Sequence, residues 1–241
     1  MLNFENTDES LASKRISVKG FPSACQTVTS RNEGSSPSPQ LAGVVLRLGN
    51  DQMIFNEGDE TRHFFKVVSG RVRLCKMRCD GKRQIVEFLI PGDIFGFEVG
   101  SEHTLIAEAI GKVVLERYSF NQIERLSQTY PNVRQHFLAI LHRHLYSMQN
   151  HMVMLGRETA KERVASFLAA FAGRMNIAKN GVVNLGMGRR DIADYVGLAL
   201  ETVCRELKSL QRAGWIEILD RRRIAIHNLP ALQSIAEGRL Y

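Results

Sequence analysis

The chain has 241 residues, 44% of them hydrophobic and 24% charged, the balance of an ordinary soluble globular protein with room for one large domain or two of usual size. No run approaches the ~18 consecutive apolar residues of a membrane-spanning helix, and MLNFENTDES has no basic start followed by an apolar core, so no secretory leader is predicted and the expected compartment is the cytoplasm. Lys and Arg outnumber Asp and Glu by 32 to 25, and from Arg157 onward there are 14 basic against 9 acidic residues: either a solvated surface or the footprint of a phosphate-binding one.

Residues 1–40 read as a disordered tail, because SRNEGSSPSPQ is rich in Ser, Pro and Gly and has no apolar period to offset its ordering entropy. From Val44 to Tyr118 short apolar or alternating runs are separated by turn signals at Asn56–Asp59, Ser69-Gly70, Cys79–Gly81 and Pro91–Asp93. Regular spacing of this kind predicts an all-β sandwich or barrel. In Gly70-Arg71-Val72-Arg73-Leu74 charged residues alternate with apolar ones, as on a strand with one buried face. Asp80-Gly81 fits a type I′ hairpin, and Ile85–Ile90 reads as the returning strand.

After Asn121 the period changes. Leu138, Leu141, Leu145, Met148, Met152 and Leu155 are spaced alternately by three and four, a narrow apolar stripe on one helix. It serves either as a dimer seam or as the face that packs on the helix's own domain. Thr159 to Ile177 forms a further amphipathic helix, with Thr159 and Glu162 at capping-box spacing.

The most informative stretch is GRRDIADYVGLALETVCRELKSLQRAGWIEI. Ile192, Ala193 and Val196 give one short helix, Gly197 turns the chain, and Leu200 to Ala213 is a second helix with Val203, Leu207 and Leu210 inward. Glu201, Thr202, Arg205, Lys208 and Arg212 point outward. Two helices joined by a short glycine-containing turn make a helix-turn-helix. Gly214 ends the second helix, and Trp215–Ile218 with Arg223–Ile226 alternate like a hairpin whose tip, Asp220-Arg221-Arg222-Arg223, reads as a wing. Glu201 and Arg205 share one helical face. A carboxylate can accept from a cytosine amine and a guanidinium can give a bidentate contact to guanine; the same two residues can instead form an intrahelical salt bridge, and both can hold together.

These residues resemble the Crp–Fnr superfamily of transcription regulators over roughly 200 positions, a span set by usual domain sizes. The turn PGDIFG is similar to that family's effector roll, and Glu201-Thr202-Val203-Cys204-Arg205 is similar to its recognition-helix motif. RRDIADYVGL and Cys75-Lys76-Met77 followed by Asp80-Gly81 and Arg83-Gln84-Ile85 look most like the FixK branch. The resemblance implies an α+β fold: a jelly-roll-like β-roll of cyclic-nucleotide-binding type over 41–125, a dimerisation helix over 126–157 carrying the stripe above, and a winged helix-turn-helix over 158–241. It further implies a homodimeric activator, not an enzyme, that binds double-stranded DNA at a palindrome of TTG and CAA half-sites and meets RNA polymerase. The expected DNA-binding residues are Arg189, Arg190, Leu200 (against a thymine methyl), Glu201, Thr202, Cys204, Arg205, Arg221 and Arg222.

No cofactor is expected. Glu98 stands where cyclic-nucleotide members carry a glutamate, but His103-Thr104 occupies the place of their arginine and serine. The cysteines are Cys25, Cys75, Cys79 and Cys204, without the N-terminal cluster of an iron–sulfur sensor or the spacing of a zinc site. His63 and His103 stand singly, unlike a haem or cupin-type metal set. Cys204 has two readings: a small contact residue, or a thiol activated by Arg205 whose oxidation would repel phosphate. The rival functions are a sensor gated by another small effector and a cupin-like metalloenzyme.

Overall fold

The computed structural model of the chain describes residues 43–98, 100–129, 131–156, 159–175 and 181–239. The expected tail over 1–40, with Cys25, lies outside the described residues. Strands β1 (Val44–Leu48), β2 (Met53–Phe55), β3 (His63–Met77), β4 (Arg83–Leu89), β5 (Ile94–Phe95) and β6 (Ile106–Ser119) form one antiparallel sheet. Its order is β1-β6-β3-β4, with β2 on β6 and β5 on β3. One face encloses Phe55, Phe65, Val67, Val72, Leu74, Leu89, Phe95 and Leu115, whose burial removes large apolar surfaces from water and drives the sheet to fold.

Three local expectations are corrected. Ser69-Gly70 is not a turn but a bulge inside β3, where the register to β6 shifts on both sides of Ser69. Gly70 is required there: its φ is +85°, and a Cβ would collide with the Lys112 carbonyl oxygen and lie 2.9 Å from Val113 Cα. The β3–β4 connection is not type I′, since Asp80 does not have positive φ whereas Gly81 does, at +76°. Gly81 N donates to Arg78 O (2.9 Å) and Arg78 N to Lys82 O (2.9 Å), which is a type I turn closed by a glycine bulge. Finally, Arg71 and Arg73 of β3 do not face water: they are 9% and 7% exposed, because the C-terminal unit covers that face.

Helices α1 (Phe120–Thr129) and α2 (Pro131–Leu155) follow. Pro131 opens α2 at the position where a missing N–H costs nothing. Leu155 apart, the predicted apolar stripe is not the face that packs on the helix's own domain; a different line of α2 does so. Ile140 and Met154 are buried against the rest of the chain, and His144 ties α2 to the sheet, Nδ1 lying 3.1 Å from Glu87 Oε2 and Nε2 2.6 Å from Ile94 O. Leu138, Leu141, Leu145, Met148 and Met152 lie on the open side, with Leu145 56% and Met152 66% exposed. Leu155 departs from that seam: it packs partly buried on the C-terminal core.

The C-terminal unit comprises α3 (Ala160–Arg174), β7 (Val182–Asn184), α4 (Arg189–Val196), α5 (Leu200–Arg212), β8 (Ile216–Ile218), β9 (Arg223–Ile226) and α6 (Leu229–Ala236). Thr159 caps α3, accepting from Glu162 N at 3.2 Å. The small sheet runs β7-β9-β8. Val164, Leu168, Ile192, Val196, Val203, Leu207, Leu210 and Ile235 share one core. Helix α6 was not expected; its signal is Asn228, whose side chain accepts from Ala231 N (3.0 Å), followed by Pro230 in the first turn. Among the described residues no helix is long and apolar enough to cross a membrane.

Candidate nucleic-acid interface

Helix α5 is amphipathic, with Val203, Leu207 and Leu210 buried, so burial of one stripe compels the opposite one outward. Glu201, Arg205 and Lys208 are exposed; Leu200, Thr202 and Cys204 are half-buried at its edges. The N-cap is Ala199, which offers no side-chain acceptor, so the positive end of α5 is left open to an anion. Arg205 Nε lies 3.2 Å from Glu206 Oε1. The intrahelical pair expected between Glu201 and Arg205 is therefore not the one formed; the guanidinium lies against its chain neighbour, and Glu201 is left to face outward.

The wing between β8 and β9 is shaped by one carboxylate. Asp220 Oδ1 accepts from Arg222 N and Arg223 N, both at 2.7 Å, and Oδ2 accepts from Arg223 Nε at 2.6 Å. Those backbone and side-chain donors hold the Asp220 carboxyl at about 2, well below the usual range. All three wing arginines are exposed, but the Arg223 side chain is committed to the turn. Arg190 is exposed at the start of α4. Arg189, by contrast, is half-buried: Nη2 reaches Asp220 O at 3.5 Å and Nη1 is buried without a partner among the described residues. Burial lowers its pKa, the charge of Asp220 acting against it. Arg189 therefore sits between α4, the recognition helix and the wing, not on the open surface.

The chain matches two family models, the cyclic nucleotide-binding domain over residues 45–130 and the Crp-like helix-turn-helix domain over residues 162–235. It is 35% identical to the nitrogen fixation regulation protein FixK of Azorhizobium caulinodans, over 89% of this chain and 90% of that one. The chain belongs to the Crp–Fnr family of transcription regulators. Within it this Crp–Fnr regulator is most like the FixK branch: the solved structure of FixK2 from Bradyrhizobium japonicum superposes with a TM-score of 0.76 at 36% identity, covering 81% of this chain and 98% of that one. The transcriptional activatory protein AadR of Rhodopseudomonas palustris is 33% identical over 72% of this chain and 74% of its own. The regulator is accordingly a DNA-binding protein and not an enzyme, and the helix-turn-helix is α4 and α5.

In this Crp–Fnr regulator Glu98 is held by groups of its own domain. His103, only 4% exposed, stacks on Phe55 with ring centroids 3.6 Å apart, and its Nδ1 lies 3.2 Å from Glu98 Oε1. The other Glu98 oxygen accepts from Thr104 N. Glu98 is thus bound to its own loop. Among the described residues no cluster of three His, Cys, Asp or Glu could hold a metal. Cys75 is buried beside Glu108, and burial pushes its thiol up to about 11; Cys79 is exposed at the hairpin and Cys204 half-buried on α5.

Sequence reasoning missed the residues that join the β domain to the helix-turn-helix. Arg71, Arg73 and Arg83 all reach across it. The one signal for them was three arginines on adjoining strands, two of them alternating in a run that otherwise reads as core.

Proposed function

We propose that the protein is a cytoplasmic transcription activator that binds, as a homodimer, a two-fold symmetric DNA site built from TTG and CAA half-sites, and does so without cyclic nucleotide or iron–sulfur cluster. The observation that carries this reading is the joint exposure of Glu201 and Arg205 on α5, over a core that fixes which face they occupy. Arg205 reads guanine through its bidentate edge and Glu201 accepts from cytosine. Leu200 meets a thymine methyl, Thr202 and Cys204 line the groove, and Arg190, Arg221 and Arg222 hold phosphates. Arg189 acts through the wing.

Dimerisation is supported by the open stripe of α2, since five large apolar side chains in one helical line are seldom left in water. A two-fold axis along that helix presents two copies of α5 to one side of a duplex, which is the geometry of a palindrome. RNA polymerase is a further partner by resemblance to the family.

The test is selection of bound duplexes from a random pool by the purified protein with no added ligand. A palindrome of TTG and CAA recovered at nanomolar protein is the expected outcome. Enrichment of nothing, or of a non-symmetric site, overturns the reading.

A further inference from the structure

We infer that Arg71, Arg73 and Arg83 are positioning residues for DNA reading: they lock the helix-turn-helix unit onto the β domain in one orientation and so determine the half-site spacing a dimer accepts. This rests on the homodimeric reading above.

Two kinds of contact join the units. The first is apolar: Phe88 of β4 lies against Phe167, Phe171 and Tyr195, with ring centroids 5.2–6.3 Å apart. Such contact is non-directional. Cys75, Ile85 and Ile110 join Phe88 in the same buried core as the C-terminal unit, and beside it a cleft of about 510 Å³ opens between α2, β4 and α3. The second kind is directional. Arg73 is shared among three carboxylates: Nε to Glu108 at 2.6 Å, Nη2 to Asp51 at 2.8 Å and Nη1 to Asp191 at 3.1 Å. Arg83 Nη2 reaches Asp191 Oδ1 and Asp194 Oδ2, each at 2.8 Å. Asp191 and Asp194 belong to α4, the first helix of the helix-turn-helix. Arg71 crosses further up, donating to the carbonyls of Asn184 and Leu185. Gly186 makes room for it: a Cβ there would lie 2.8 Å from Arg71 Cδ.

These ties bear on DNA because of what they connect. β4 holds α2 through Glu87 and His144 and holds α4 through Arg83, while α4 and α5 share the core of Ile192, Val196, Val203 and Leu207. From the open seam of α2 to the reading face of α5 the chain of contacts is therefore continuous, and charge-assisted hydrogen bonds give its middle link a fixed angle. Each protomer presents α5 at a set distance from the two-fold axis. One inserted base pair moves a half-site by about 3.4 Å and rotates it by about 35°, a change that a locked unit cannot follow and a loosened one can.

The experiment uses the full-length protein and duplexes carrying two half-sites at the selected spacing, the same with one base pair added or removed, and a single half-site. Wild type should prefer the selected spacing by at least about tenfold. Arg83→Gln and, from the other side of the tie, the isosteric Asp194→Asn should each reduce that preference to within about threefold while retaining wild-type affinity for the single half-site. The double variant should be no worse than either single one, as expected of two halves of one interaction. A merely structural role would lower affinity for every duplex in proportion, and that result, or an unchanged spacing preference in both variants, overturns the inference. A wild type that is monomeric, or indifferent to spacing, instead fails the homodimeric reading and takes this inference down with it.

Discussion

Arg205 is anchored at Nε by Glu206, which holds the guanidinium while its two terminal nitrogens have no other partner among the described residues. That arrangement limits the rotamers lost on binding and suits a planar fork aimed at guanine. Arg205→Ala should cost about 1–3 kcal/mol at a site with the cognate guanine and flatten the preference at that one position. Arg205→Lys should restore part of the affinity but not the preference, because a point charge cannot make two parallel bonds. Competition binding against operators varied at single positions separates the two. Both Glu201 and Arg205 were legible from sequence, since a stripe of Val203, Leu207 and Leu210 leaves only one outward face. The partner of Arg205 was not, because spacing allows Glu201 and only the rotamers select Glu206. The half-burial of Arg189 beside the Asp220 carbonyl was not legible either, because an arginine at a helix start gives no local sign that the wing lies beside it.

At the scale of elements, α2 shows how one periodic signal can hold two answers. Its sequence places apolar side chains on most of the circumference, so period alone could not say which line meets the β domain and which stays open. Burial resolves it into Ile140 and Met154 inward and Leu138 to Met152 outward. If the open line is the seam, Leu145 is covered in both protomers. Fully burying a leucine is worth about 1.5–3 kcal/mol; Leu145 has about half of that left to gain, so Leu145→Ala, counted twice, should raise the dimer dissociation constant by roughly ten- to a few-hundredfold, as sedimentation would show. The inward face carries a titratable tie. Burial pushes the His144 imidazolium down, but the hydrogen bond and charge of Glu87, with the Ile94 carbonyl and Asp93, outweigh it, and the pKa is raised above the usual 6.5. A group raised on folding adds stability that is fully present below its unfolded pKa and is lost as pH rises through the folded one. Thermal melts should therefore show wild type losing more stability between pH 6 and pH 9 than His144→Gln does. The strands follow the same lesson. Gly70 was legible as punctuation, but a bulge and a turn both call for a glycine with positive φ, and only the pairing of β3 with β6 along both sides distinguishes them.

The architecture as a whole was open to sequence reading because the period of the apolar residues changes from strand-like to helix-like after Asn121 and returns to strand-like at the wing, and because positive charge collects in the last third. The docking of the two halves was hidden: Arg71 and Arg73 have the pattern of a solvent face, and nothing local reveals that carboxylates 118 residues away in sequence will cover it. Net charge of +7, with the excess in the DNA-reading third, makes binding a property of the summed field as well as of single contacts. Each phosphate neutralised releases counterions, and the logarithm of affinity falls with the logarithm of salt by about 0.9 per contact. Within the wing the structure divides this labour unevenly. Arg223 is spent on Asp220, whose carboxyl stays ionised down to about 2, so it contributes to the shape of the turn; in the proposed reading Arg221 and Arg222 are the two that meet the duplex. Replacing both by alanine should weaken cognate and random duplexes by the same factor and reduce the salt slope by about 2, whereas Arg223→Ala should disturb the slope by less than one contact's worth while destabilising the turn. Salt titrations of the three proteins on one cognate and one scrambled duplex measure both effects, and a larger slope change for Arg223→Ala than for the double variant would reverse the assignment of which arginines meet phosphate.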